Sequence, residues 1–379
     1  MSALTIAVLV AGFVLLILGG ETLVRGASSL ARIFGMSPLI VGLTVVAFAT
    51  STPELAVSAG AALSGYPGIA VGNVVGSNIA NILLIVGLTA LLAPLIVKSR
   101  IVRADIPVMA AFSVVLLVIA LDGTVSRLDG AILLVALVAY LTVTVVTSRR
   151  SRAPVSGPES PAANAPGESA GATSRTRSLL VSSGLVALGV LLLVVGARLL
   201  VSAASEIASA LGVSDLIVGL TVVAIGTSLP ELATSLIAAA RGERDMAVGN
   251  IVGSNVFNIG AVLGVTSLIT PIEVAPSAVR FDLPIMVAVA LVLLPVAFTA
   301  MAISRWEGAL FAGFYVAYIG YLVLQAAGHD ALEPYSAAML WFVIPISALW
   351  LVLLATYELG VRRGRRQAFR HKHARSRPS

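Results

Sequence analysis

The sequence predicts an all-α polytopic membrane protein: ten core transmembrane helices in two inverted five-helix repeats, with an extra C-terminal transmembrane helix. Three observations lead there. Of 379 residues, 58% are hydrophobic and 11% are charged, against about 25% charged in a soluble domain. A mean hydropathy of +1.03 excludes a water-soluble globule. The apolar residues fall into stretches of roughly 20, the length that crosses about 30 Å of hydrocarbon. Finally, the second half of the chain repeats the first at a fixed offset.

The stretches lie near residues 4–26, 38–64, 69–93, 105–121, 130–147, 179–203, 215–240, 246–270, 283–303, 308–325 and 337–357. The first is a retained span, because Met1 to Thr5 carries no positive charge and the run is too long for a signal sequence. Lys98, Arg100 and Arg103 follow the third stretch, and Arg149, Arg150, Arg152, Arg175 and Arg177 follow the fifth. Arg241 and Arg244 follow the seventh and Arg305 the ninth. The tail after the eleventh holds Arg362, Arg363, Arg365, Arg366, Arg370, Lys372, Arg375 and Arg377. The other side has only Arg127 and Arg280, with an acidic loop at Asp330 and Glu333. Basic loops stay in the cytoplasm, so the N-terminus is expected outside and the C-terminus inside. The pI near 10 is thus a feature of membrane topology and not of nucleic-acid binding.

The chain divides into a first membrane repeat (1–148), a linker (149–177), a second membrane repeat (178–327), the extra helix (336–358) and a basic cytoplasmic tail (359–379). The linker, rich in Pro, Gly, Ser and Ala over 151–176, cannot bury a core and reads as disordered and cytoplasmic.

Residues 39–56, LIVGLTVVAFATSTPELA, return at 216–233 as LIVGLTVVAIGTSLPELA. Residues 70–82, AVGNVVGSNIANI, return at 247–259 as AVGNIVGSNVFNI, again 177 residues on. The same shift carries Arg103, Asp105 and Pro107 onto Arg280, Asp282 and Pro284, and a shift of 178 carries Arg127 and Gly130 onto Arg305 and Gly308. The repeated unit holds five spans. Five is odd, so the second copy enters the membrane from the opposite face. Inverted repeats belong mainly to secondary transporters, with the site near the midplane between them.

Among 18 acidic residues, Glu54 and Glu231 lie deep in apolar spans. An intramembrane carboxylate costs several kcal/mol without a partner (about 2.5–3.5 on insertion scales). The two are repeat mates, so the two-fold axis can bring them face to face. There they repel unless a cation or a proton sits between them, and their −2 matches one divalent ion. The competing structural reading satisfies each Glu locally through backbone or helix-terminal donors. Its weakness is the lack of an Arg, Lys or His at that depth.

The neighbours are oxygen donors. Thr50 and Ser51 precede Glu54, and Thr227 and Ser228 precede Glu231. Pro53 and Pro230 remove helical hydrogen bonds and release carbonyls about a turn earlier, near Ala47 and Ala224. A broken helix is tolerated in lipid only where it lines a site. In the third and eighth stretches, Ser77 with Asn81 mirrors Ser254 with Asn258, each pair sharing one helix face. Such an oxygen set, without sulfur or imidazole, suits hard ions such as Ca²⁺ and Na⁺. The absence of cysteine excludes disulfides, thiolate sites and cysteine catalysis, and the three histidines, His329, His371 and His373, lie outside the apolar stretches. Gly42, Gly72, Gly76, Gly219, Gly249 and Gly253 read as close-packing positions. Asn73, Asn78, Asn250 and Asn255 are either interhelical hydrogen-bond partners or ligands. Glu21 and Arg25 pair at i, i+4, and Arg198 and Glu206 snorkel towards the outer end of the sixth stretch. GNVVGSN is no phosphate loop, since no lysine follows and it is intramembrane.

GLTVVAFATSTPELAVS with GNVVGSNIAN, and GLTVVAIGTSLPELATS with GNIVGSNVFN, resemble the two α-repeats of the sodium/calcium exchanger branch of the cation/Ca²⁺ antiporter superfamily, prokaryotic type. The resemblance covers residues 1–327. It implies ten core helices in a prokaryotic plasma membrane, with exchange of Na⁺ for Ca²⁺ by alternating access as the first and sixth helices slide. It also implies four adjoining cation sites in a diamond, with no cofactor, enzymatic activity or nucleic-acid partner. By analogy Glu54 and Glu231 hold Ca²⁺ with the carbonyls of Thr50 and Thr227. Ser51, Ser77, Ser228, Ser254, Ala47 and Ala224 complete flanking Na⁺ sites, and Asn81 and Asn258 line the central one. Well-studied relatives carry Asp where this chain has Asn258, so one protonatable group is missing, which counts against proton coupling and K⁺ dependence. Alternatives are a Ca²⁺/H⁺ antiporter of the same superfamily, a cation channel with a glutamate filter, and an intramembrane hydrolase. The paired Ser and Thr favour Na⁺; a single midplane pair is unlike a filter ring; Asp-based hydrolase motifs are absent.

Overall fold

A computed structural model describes residues 3–150, 168–211, 224–299 and 301–346, together with Leu349, Val352 and Thr356. The chain is nearly all helical. Its helices are α1 (Ala3–Ile33), α2 (Pro38–Leu63), α3 (Gly68–Leu92), α4 (Ile101–Asp122), α5 (Arg127–Arg150), α6 (Glu168–Ala210), α7 (Leu229–Ala240), α8 (Arg244–Ile269), α9 (Ala278–Phe298), α10 (Arg305–Ala326) and α11 (Leu332–Ile346). Among the described residues nine of these are long and apolar enough to cross a membrane; α7 and α11 are the shorter two. The start of the seventh stretch lies outside the described residues, which resume with a helical turn at Ala224–Gly226. The end of the eleventh and the basic tail lie outside them too.

The linker differs from expectation at both ends. Helix α5 runs through Arg150, and α6 begins at Glu168, so 168–177 is helical where disorder was expected. After Pro166 no proline interrupts the chain up to the apolar part of α6. An established helix therefore extends backwards at one hydrogen bond per residue, without a new nucleus. Residues 151–167 lie outside the described residues.

The repeats run in opposite senses. A methyl added at Gly12 of α1 would sit 2.7 Å from Leu200 N, one at Gly19 2.7 Å from Leu193 N, and one at Gly26 2.9 Å from Ser182 O. As α1 numbering rises its partner's falls, so the mates α1 and α6 pack antiparallel. Strand β1 (Leu95–Ile96) pairs with β4 (Ala302–Ile303), and β2 (Thr124–Val125) pairs with β3 (Ile272–Glu273), both antiparallel. The repeat operation turns β1 into β3 and β2 into β4, exchanging one ribbon for the other. Helix α4 separates β1 from β2, so the ribbons cap opposite ends of the bundle. Arginine contacts obey the same rule: Arg127 Nη2 donates to Ile269 O at 3.3 Å and Arg305 Nη2 to Leu92 O at 3.5 Å.

The turns repeat as well. Gly65 (φ +83°) and Gly242 (φ +82°) end α2 and α7 in the left-handed conformation that glycine adopts without a Cβ clash. Wide π-helical turns begin at Asn81 and Asn258, and at Ile101 and Ala278. Such turns are rare and concentrate at functional sites. The central helices α3 and α8 are the most enclosed, whereas α1, α5, α6 and α10 turn apolar side chains outward, as lipid-facing helices must.

Several carboxylates outside the two glutamates, buried or not, are locally partnered. Tyr140 donates to Asp105 Oδ1 at 3.1 Å, and the mate Tyr318 to Asp282 Oδ1 at 3.0 Å. Glu307 closes a capping box, accepting from Ser304 N and Oγ at 2.7 Å each. Glu21 pairs with Arg25 at 2.6 Å as the i, i+4 spacing requires, and Arg241 joins the same carboxylate. Glu206 accepts from Thr5 Oγ1 at 2.6 Å, a contact between α6 and α1.

Candidate cation site

Helix α2 breaks at Ser51 (φ −82°, ψ 2°), between helical segments Ala47–Thr50 and Thr52–Leu63. Its mate Ser228 (φ −88°, ψ 4°) precedes α7. Pro53 and Pro230 stand in the first turn of the restarted helices, where a missing N–H is no loss. Glu54 and Glu231 follow, still in that turn, and meet the positive end of the helix dipole. Helix-terminal stabilisation reaches about 2 kcal/mol at best in partly buried settings, against several kcal/mol for burying a carboxylate. Local satisfaction falls short.

Both glutamates are fully buried, and none of their four carboxylate oxygens has a hydrogen-bond partner among the described residues. They lie close enough for Glu54 to feel the charge of Glu231, and Thr50 and Ser51 lie beside the Glu231 carboxylate. The Oγ atoms of Ser51, Ser77 and Ser228, both amide atoms of Asn81 and Oδ1 of Asn258 are likewise buried without partners. Buried polar atoms are nearly always paired. Two carboxylates with unpartnered hydroxyl and amide oxygens on the repeated segments make a donor set that suits a hard cation, and no group of three His, Cys, Asp or Glu competes with it among the described residues.

Other expected residues join the helices that carry these groups. Thr50 Oγ1 donates to Asn250 Oδ1 at 3.2 Å and lies 3.5 Å from Ser254 Oγ, joining α2 to α8. Thr227 Oγ1 donates to Asn73 Oδ1 at 3.2 Å, joining α7 to α3. The Ala47 carbonyl accepts from Ser51 N at 3.0 Å and from Thr50 Oγ1 at 3.4 Å, so it is already engaged. The carbonyl four residues before Pro53 is that of Ala49, which is where the missing N–H is felt. Ala224 lies in the helical turn Ala224–Gly226, and Ser228 N bonds to Ile225 O at 3.0 Å.

The undecided asparagines are hydrogen-bond partners here. Asn73 Nδ2 reaches Ser58 Oγ at 3.0 Å and Glu54 O at 3.3 Å, and Asn250 Nδ2 reaches Ser235 Oγ at 3.0 Å. Each asparagine bridges a serine of its own repeat to a threonine of the other. Ser58 and Ser235 were not singled out by sequence reasoning, although both stand four residues after the glutamate in both copies. Gly42, Gly249 and Gly253 are packing glycines: an added methyl would sit 2.5 Å from Met246 O, 2.6 Å from Leu39 O and 2.8 Å from Leu43 O, respectively. Gly219 lies outside the described residues, and a methyl at Gly72 or Gly76, expected to be packing positions too, meets nothing within 4 Å among the described residues.

Comparisons with known proteins place the chain among membrane transporters of one family. The family model for sodium/calcium exchanger proteins matches residues 4–146 and 181–324. The chain is 33% identical over 343 residues to the sodium/calcium exchanger MaX1 of Methanosarcina acetivorans, covering 82% of this chain and 96% of that one. It is 38% identical over 299 residues to the inner membrane protein YrbG of Escherichia coli, covering 76% and 87%. Among solved structures it matches the sodium-calcium exchanger NCX_Mj soaked with Na⁺ and Ca²⁺, with a TM-score of 0.70 at 35% identity, over 84% of this chain and 99% of that one.

Proposed function

This chain belongs to the sodium/calcium exchanger protein family, a family of transporters and not of catalytic enzymes, and on that premise we propose that it exchanges Na⁺ for Ca²⁺ by alternating access. Both ions compete for the site built on Glu54 and Glu231. The observation that carries this reading is the set of four buried carboxylate oxygens without a hydrogen-bond partner among the described residues. Ca²⁺ lies between the two glutamates with the carbonyls of Thr50 and Thr227, and Asn81 and Asn258 line the same space. Na⁺ takes the flanking positions offered by Ser51, Ser77, Ser228 and Ser254, with the backbone of Ala47 and Ala224 nearby. The membrane is a prokaryotic plasma membrane, with the N-terminus outside and the C-terminus in the cytoplasm.

Coupling follows from electrostatics. An empty site holds two negative charges, which are costly to carry past an apolar barrier. Occupancy by either ion neutralises them and lets the helices rearrange, so transport in one direction requires return with the other ion.

The test is ⁴⁵Ca²⁺ uptake into Na⁺-loaded proteoliposomes diluted into Na⁺-free buffer, beside an acid-loaded set. Uptake should require internal Na⁺ and fall at least 100-fold in Glu54→Gln or Glu231→Gln, since a lost charged ligand removes about 3 kcal/mol or more. Wild-type rates in either variant would overturn the mechanism. Uptake in acid-loaded vesicles alone would move the protein to proton coupling.

A further inference from the structure

Asn78 is buried on α3, three residues before Asn81, and its surroundings fix which way its amide points. Its Nδ2 lies 3.3 Å from the backbone carbonyl of Asn255 and 3.7 Å from Met286 Sδ. A carbonyl oxygen and a thioether only accept, so the NH₂ end belongs there. The Oδ1 end therefore lies further along α8, where Asn258 Nδ2 donates to it at 3.0 Å. An acceptor in that place demands a donor from residue 258. With its NH₂ group engaged, Asn258 turns its own carbonyl oxygen the other way, and that oxygen is buried without a hydrogen-bond partner among the described residues.

The mates do not repeat this arrangement. Asn255, equivalent to Asn78, turns its Nδ2 to Ile251 O of its own helix at 2.8 Å. Asn81, equivalent to Asn258, has neither amide atom partnered among the described residues. The pseudo-two-fold symmetry is broken at this point, with one amide oriented and the other free.

We propose that Asn78 is a positioning residue for cation binding, holding Asn258 with its Oδ1 aimed into the site of Glu54 and Glu231. This deepens the exchange reading above and rests on it. The donor–acceptor chain suits an amide at residue 258 and disfavours an ionised group there. A carboxylate there would set an acceptor against Asn78 Oδ1. Turning Asn78 around would instead set its oxygen against the Asn255 carbonyl. Asn258 thus supplies a neutral oxygen, and the site keeps the charge of its two glutamates.

A double-mutant cycle tests this on the full-length protein: wild type, Asn78→Ala, Asn258→Ala and the double variant. Half-saturating Ca²⁺ is read from Na⁺-driven ⁴⁵Ca²⁺ uptake, and binding from the Ca²⁺-induced rise in Tm in detergent. Groups that orient a metal ligand typically change affinity about 10–100-fold. Asn78→Ala should raise half-saturating Ca²⁺ about tenfold with little change in maximal rate, and add nothing in the Asn258→Ala background. Factors that multiply, or an Asn78→Ala effect confined to maximal rate, would overturn the proposal. Should Asn78→Ala fail to fold, Asn258→Asp decides alone: weaker Ca²⁺ binding despite the added charge is expected, and equal or tighter binding overturns it. A wild-type protein without Na⁺-driven uptake would sink the exchange reading and this inference with it, whereas an active wild type with multiplying factors sinks the inference only.

Discussion

At the scale of single residues, Asn73 and Asn250 perform one task twice. Each holds a serine of its own repeat and receives a threonine hydroxyl from the other, so each fastens a broken helix where it meets the site. Removing one leaves buried hydroxyls without a partner, at about 1–3 kcal/mol per orphaned group. Asn250 is fully buried while Asn73 is only partly so, and water can replace what Asn73 loses. Asn250→Ala should therefore lower Tm in detergent more than Asn73→Ala does, a ranking that thermal unfolding of the purified variants reads directly. Equal, negligible shifts would mean these contacts hold nothing. The two glutamates, the paired serines and the threonines were legible as one neighbourhood, because charge inside an apolar span is too costly to persist without a partner or a ligand. The asparagines could not be sorted that way. Residues 78 and 81 are about 60° apart on a helix, so spacing alone does not separate a support from a ligand. What separates them is the partner on α8, a contact across 180 residues of chain.

At the scale of helices, glycine decides how closely α1 and α6 approach. Methyl groups at Gly189 or Gly196 would fall 2.6 Å from Leu23 N and 2.9 Å from Gly12 O, respectively, both backbone atoms that cannot move aside, whereas one at Gly184 meets nothing within 4 Å among the described residues. Forced overpacking costs about 1–3 kcal/mol, while Gly→Ala on an open helix face gains up to about 1 kcal/mol of helix propensity. Gly189→Ala and Gly196→Ala should thus lower Tm in detergent, and Gly184→Ala should leave it unchanged or raise it. Loss in all three, or in none, would show that the helix contact is not glycine-limited. Gly42, Gly249 and Gly253 were readable as packing positions inside the duplicated motif, but Gly72 and Gly76 of the same motif meet no such neighbour among the described residues. The glycines of α1 and α6 were equally visible at Gly12 and Gly19 and their mates, but nothing in a single helix says which neighbour it will face. Pairing of α1 with α6 follows only once both repeats are folded against each other.

At the scale of the whole molecule, the odd number of spans per repeat is what makes the fold, and contacts of different kinds obey the same two-fold operation. The ribbons exchange, Arg127 and Arg305 exchange, and Gly65 and Gly242 close equivalent turns. Charged contacts join segments on the side proposed to be cytoplasmic: Lys98 Nζ to Asp245 Oδ2 at 2.5 Å, and Arg241 to Glu21. Both agree with the side that the basic loops select. The orientation then has a clean test, because the chain has no cysteine and a single introduced thiol is an unambiguous probe. Tyr66 and Glu243 are repeat mates in equivalent turns, between α2 and α3 and between α7 and α8. In intact cells a membrane-impermeant maleimide should label Tyr66→Cys, and Glu243→Cys only after permeabilisation. The reverse pattern would invert the protein in the membrane but keep its architecture. Labelling of both from one side would be incompatible with inverted repeats, and with a site placed between them.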